Sequence, residues 1–159
     1  MRVLGIDPGS RITGYGVIET RRNGIVELAR GEIKPARESP LSLCLTAIHE
    51  QLLEVIDRLS PGAISIENIF YGKNVKSLIV QGHIRGVAIL AGAVRRVPIF
   101  EYTPLEIKQA VVGYGRAEKS QVQKMVKAIL QLNDMPSADA ADALAAAICH
   151  VNTLKVKPL

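Results

Sequence analysis

The chain has 159 residues, and 20 Lys or Arg against 15 Asp or Glu give a formal charge of +5 and a pI near 9.4. Apolar residues at 48% and charged residues at 22% exclude a disordered chain and predict a globular one, and the basic surplus suggests an anionic partner. Two cysteines, Cys44 and Cys149, sit in apolar helix-like stretches without paired ligand spacing, which excludes a disulfide scaffold and fits a reducing cytoplasm.

Three strands are expected first: Arg2 to Asp7, Ile12 to Thr20 and Ile25 to Lys34, separated by Pro8-Gly9-Ser10 and Asn23-Gly24. Such short spacers, Asn-Gly above all, make antiparallel neighbours. A helix from Pro40 to Leu59 follows, with Ser39 as N-cap, proline in the first position and apolar residues at steps of four and three. Ser60-Pro61-Gly62 stops it. Ala63 to Glu67 reads as a strand with Ile64 and Ile66 on one face and Ser65 and Glu67 on the other.

Val75 to Arg96 has helical spacing and many small residues, and Val97 to Tyr102 is the next strand. A strand, a helix and a strand make this part of the sheet parallel. Helices at Pro104 to Val112, Lys119 to Leu132 and Ser137 to about Asn152 complete the chain. The expected architecture is α/β: one domain over 1–159, its last few residues a tail, with a mixed five-stranded sheet, an antiparallel meander then parallel strands, flanked by helices. Met1 leads directly into a strand and no run of about 18 apolar residues occurs, so a soluble cytoplasmic protein is expected rather than a secreted or membrane-spanning one.

The acids carry the sharpest signal. Asp7 and Glu67 each end a strand after an apolar run, and the two strands are neighbours if the first is central. Asp139 and Asp142, three apart, share a face of an alanine-rich helix small enough to pack closely on a sheet. Asp7 before Pro-Gly also reads as a turn aspartate, and Asp139 and Asp142 as helix-start acids favoured by the dipole. Glu67 is harder to place so, because a glutamate among Ile66, Ile69 and Phe70 costs several kcal/mol if buried unpaired. Four converging carboxylates need divalent cations, and Mg²⁺ favours such oxygen ligands. Two ions about 3.5–4 Å apart suit in-line displacement at phosphorus.

An anionic substrate fits the remaining charge. Between Asn68 and Asn133 stand ten bases and three acids. Most of those bases read equally well as a solvated face. The loop Gly113-Tyr114-Gly115-Arg116-Ala117-Glu118-Lys119-Ser120 enters a helix and offers backbone N–H groups and cations to a phosphate. Asn68 to Asn74 is a second loop beside Glu67, whose Phe70 suits either core filling or stacking on an unpaired base. His49 and His150 read as surface or boundary residues, and His83 beside Arg85 as part of a basic face.

Gly5-Ile6-Asp7-Pro8-Gly9-Ser10, Ile66-Glu67-Asn68-Ile69-Phe70, the segment Val112 to Val122 and Ala138-Asp139-Ala140-Ala141-Asp142-Ala143-Leu144-Ala145 strongly resemble the RuvC family of Holliday junction resolvases, in order over nearly the whole chain. The resemblance implies an RNase H-like fold and a homodimer. It also implies Mg²⁺-dependent nicking of two opposed strands of a four-way DNA junction in recombination and repair, with 5′-phosphate ends. Two Mg²⁺ per active site are expected, with Mn²⁺ as a substitute, and a branch-migration complex as partner. The family's catalytic and metal-binding acids fall on Asp7, Glu67, Asp139 and Asp142, and its junction-centre aromatic on Phe70. Lys119 is chosen for the scissile region, with Lys76, Arg85, Lys108 and Arg116 along the DNA track.

The helix Val75 to Arg96 is expected to carry the dimer, because Leu78, Ile79, Val80 and Ile84 spread apolar surface more widely than one sheet contact needs. Asp7-Pro8-Gly9-Ser10 with Thr13-Gly14 also looks like the phosphate loop of sugar-kinase and actin-like ATPases. Those proteins hold nucleotide between two such domains.

Overall fold

The computed structural model describes residues 1–9, 11–68 and 74–156, with side chains through residue 154. Ser10, Phe70 and the expected terminal tail lie outside the described residues. Strands β1 (Arg2–Asp7), β2 (Thr13–Arg21), β3 (Gly24–Ile33), β4 (Ala63–Glu67) and β5 (Ile99–Tyr102) form one sheet in the order β3-β2-β1-β4-β5. β1 and β3 flank β2 antiparallel, whereas β1, β4 and β5 run parallel. Gly24 turns the Asn-Gly corner at φ +133°, a conformation L side chains rarely adopt.

Alternation assigns each strand residue to one of two cores. Leu4, Ile6, Val17, Ile64 and Ile66 meet Ile48, Leu52, Val55 and Ile56 of α1 (Leu41–Leu59) and Ile84, Ala88 and Ala91 of α2 (Val75–Val94). Val3, Ile18 and Tyr102 face α3 (Pro104–Val112), α4 (Lys119–Leu130) and α5 (Ala138–Val156). The product is a three-layer α/β/α arrangement.

Helix α5 is seated close against the sheet. A Cβ on Gly5 would stand 1.8 Å from the Ala143 carbonyl oxygen, and one on Gly14 would stand 2.1 Å from that of Asp139. Glycine below and alanine above let helix and sheet backbones approach. The Ser65 hydroxyl donates to the Ala146 carbonyl at 2.6 Å and ties β4 to the same helix.

Several expectations are corrected. Pro40, at ψ 144°, is the N-cap of α1 in place of Ser39, with no side-chain cap bond among the described residues. Its ring sets φ but leaves ψ extended, and its carbonyl accepts from Leu43 and Cys44 N–H. Arg96 at φ +55° closes α2 two residues early, and Gln131 at φ +52° does the same for α4. Pro98 delays β5 to Ile99, and α5 continues past Asn152 to Val156.

Ile84, expected on an outer surface, is only 1% exposed in the core, whereas Ile79, Val75, Leu90 and Val94 of the same helix are exposed. His150, expected at a boundary, is wholly buried. α5 is covered by the sheet on one side and by α3 and α4 on the other, so even its histidine is interior. The ring holds Tyr102 Oη at 2.8 Å from Nδ1 and lies against Phe100, with ring centroids 4.3 Å apart.

Candidate active site

Three elements deliver the acids. β1 and β4 run parallel with Ile6 paired to Ile66, so the next residue of each, Asp7 and Glu67, emerges side by side at the same sheet end and on the face that α5 covers. The close seating of α5 then brings Asp142 over them. Asp7, Glu67 and Asp142 line one cleft of about 360 Å³. Asp139 is a half-buried neighbour one turn earlier on α5.

Facing the acids are two lysines. Lys119 opens α4, whose start is set by the Gln121 carboxamide oxygen accepting from Glu118 N–H at 2.8 Å. Its Nζ stands 3.3 Å from Asp142 Oδ2. Lys108 comes from α3, which begins in a Thr103–Glu106 capping box, and it lines the cleft too.

Burial pushes the Asp7 carboxyl up to about 7, and the charges of Asp142, Glu67 and Asp139 push the same way. Glu67 is raised by burial and by Asp142, against the pull of Lys119 and Lys108. Asp142 is raised by burial, which outweighs its ion pair with Lys119. Lys119 in turn is raised, chiefly by Asp142. The acids are therefore held together at an energetic cost that a bound cation would relieve.

The donor set fits a hard divalent cation, since all four groups are carboxylates and none is a soft ligand. Among the described residues no three His, Cys, Asp or Glu side chains close into a ready-made cage. Such an open arrangement suits Mg²⁺, which is commonly held by one or two carboxylates together with waters and substrate phosphate.

The other expected site residues are scattered. Lys76, in the first turn of α2, and Arg116, in the turn before α4, are exposed. Arg85 does not reach the cleft. Its Nη2 pairs with Glu101 Oε1 of β5 at 2.6 Å, its side chain is 15% exposed, and Glu101 belongs to the face opposite Tyr102. The strand that supplies its acidic partner lies sixteen residues further along the chain. Phe70 falls outside the described residues. Gln81 of α2, which sequence reasoning missed, lines the cleft. The signal was a polar residue at an inward helical position.

A mixed sheet in this order, with acids at the ends of its central parallel strands and on the helix laid across them, has the RNase H-like nuclease fold. The family model for crossover junction endodeoxyribonuclease RuvC matches residues 3–150, and the chain belongs to that family. It is 49% identical over 157 residues to a crossover junction endodeoxyribonuclease RuvC of Geobacter metallireducens, covering 99% of this chain and 96% of the relative. The Thermus thermophilus RuvC structure superimposes with a TM-score of 0.88 at 33% identity, over the whole of both chains. The same protein in complex with Holliday junction substrate gives 0.92 at 33% identity, covering 100% of this chain and 99% of that one. Family membership sets aside the ATPase alternative.

Proposed function

We propose that this protein is an endodeoxyribonuclease that resolves Holliday junctions by nicking two opposed strands during recombination and repair. The observation that carries the reading is the cleft itself. Asp7, Glu67 and Asp142 converge there against Lys108 and Lys119, with the Asp7 carboxyl pushed up to about 7.

Asp7, Glu67, Asp139 and Asp142 hold the metal in this reading, Mg²⁺ with two ions per site or Mn²⁺ in its place. When bound, the metal supplies a water of lowered pKa and stabilises the leaving 3′ oxygen, which leaves a 5′-phosphate. The chain's own groups do the rest. Lys119, 80% exposed with its ammonium beside Asp142, reaches the phosphate flanking the bond cut. Lys108 offsets charge on the Glu67 side, and Lys76 and Arg116 extend the track along the backbone. Phe70 keeps the junction-centre stacking role that the family resemblance assigns.

Two strands need two sites, and the outward face of α2 supports a homodimer. Ile79 and Leu90 are 55% and 52% exposed and border an open groove with Gly82, His83 and Gly86. By length and composition α2 also passes as a membrane span. Its Ile84, Ala88 and Ala91 face is nevertheless core, and a second copy covering the outer face accounts for the rest. The protein then acts in the cytoplasm with a branch-migration complex and no membrane.

The test is cleavage of a mobile four-way junction beside linear duplex. Paired symmetric nicks in Mg²⁺, lost in chelator, are expected. Asp7→Asn, Glu67→Gln, Asp139→Asn and Asp142→Asn should bind the junction without cutting it. Full activity in chelator, or near wild-type cutting by the Asp7 or Glu67 variant, overturns the reading.

A further inference from the structure

Among the described residues, Lys119 is the cation that bonds an acid of the cleft, its Nζ 3.3 Å from Asp142 Oδ2. Its charge reaches beyond that contact. It acts with Asp142, Asp7 and Asp139 and pulls Glu67 down as well, so one ammonium stands in the field of all four carboxylates. Lys108 acts on Glu67 and Asp142 more weakly than Lys119 does.

A pair kept for structure is enclosed, with further hydrogen bonds on both partners. Lys119 is instead 80% exposed, against 22% for Asp142, and its ammonium ends a flexible four-carbon stem. The anion is fixed by α5, and the cation is free to leave it. A DNA phosphate is a second anion for it to join.

Lys119 and a divalent cation are drawn to the same oxygen of Asp142, and like charges that close repel. Loss of a proton does not end this competition, because Asp142 above all holds the Lys119 ammonium above its ordinary pKa. What ends it is another partner for the ammonium. A phosphate that draws Lys119 away leaves Asp142 to the metal, and by linkage a metal on Asp142 releases Lys119 to the phosphate.

We propose that Lys119 is a stand-in cation for the acid cluster, and that its transfer from Asp142 to a DNA phosphate couples DNA binding to metal binding. The inference rests on the four acids being the metal site.

Ca²⁺ serves as the probe, a hard cation for the same carboxylates whose looser geometry should not support cutting. Urea unfolding of wild type, Lys119→Met and Lys108→Met across a Ca²⁺ series, without DNA, gives each protein's affinity from its stabilisation. Lys119→Met should bind Ca²⁺ about 5-fold tighter than wild type, the low end of such couplings for so exposed an ammonium. Lys108→Met should change less. Four-way junction affinity is then compared in Ca²⁺ and in chelator. Ca²⁺ should strengthen junction binding by wild type, and reciprocity makes that gain about 5-fold smaller in Lys119→Met. Wild-type Ca²⁺ affinity in Lys119→Met overturns the inference, as does an equal Ca²⁺ gain in junction binding by the two proteins. So does Lys108→Met tightening Ca²⁺ as much as Lys119→Met, which marks general repulsion rather than exchange at Asp142. Failure of Ca²⁺ to stabilise any of the three proteins overturns the reading of the acids as a metal site as well.

Discussion

Asp7→Asn should abolish cutting and, at the same time, make the metal-free protein more stable at alkaline pH. The native carboxyl is raised from 3.8 to about 7, so the folded state holds its proton more tightly than the unfolded one. Stability from this group is fully present below 3.8 and is lost as pH rises to about 7, where the native carboxylate ionises beside Asp142, Glu67 and Asp139. The gap between 3.8 and about 7, at about 1.36 kcal/mol per pH unit, bounds the loss at about 4 kcal/mol. Asparagine removes the charge and should recover up to that amount at pH 8, with the difference shrinking toward zero at pH 4. Urea unfolding of both proteins in chelator at pH 4, 6 and 8 measures it, with equal m-values confirming equal exposed surface. Mg²⁺ should then stabilise the wild type more than the variant at pH 8. A stability difference that is independent of pH, or one favouring the wild type at pH 8, refutes the account of a repulsive, buried acid cluster.

Gly5→Ala should cost about 3 kcal/mol or more and remove cutting with it, because the new Cβ would meet the Ala143 carbonyl at 1.8 Å and lift the helix carrying Asp142. Thermal melts and a junction assay together check this. Ile79→Glu should give a folded protein sedimenting near 17.2 kDa, where the proposed dimer predicts about twice that mass for the wild type. Ile84→Glu, which places a charge where only 1% of the residue is exposed, should unfold the chain. Burial holds His150 below its ordinary value of 6.5, so native stability should fall as pH drops below 6.5, where the unfolded histidine takes the proton first. His150→Phe should flatten that acid-side loss in urea midpoints while costing about 1–3 kcal/mol through the orphaned Tyr102 hydroxyl.

Local patterns in the sequence determined a good deal of this protein. The Asn-Gly corner and the two-residue alternation determine the meander, and the alternation alone separates Ile64 and Ile66 from Ser65 and Glu67. The acid at each strand end follows from the same reading, as does an alanine-rich helix carrying Asp139 and Asp142, whereas the strand order β3-β2-β1-β4-β5 comes from the structure. Tertiary structure decided what stands opposite each face. The pairing of Ile6 with Ile66 sets Asp7 beside Glu67, and the glycine floor under α5 brings Asp142 over them. Helical period placed apolar residues on both sides of α2 without saying that Ile84 turns inward and Ile79 outward. It also could not show that Arg85 is neutralised by Glu101 of the neighbouring strand or that His150 is enclosed from both sides. Periodicity records which residues share a face of one element, because it arises from that element's own backbone geometry. Burial, charge partners and the convergence of a site depend on packing between segments distant in the chain, and no local repeat encodes that.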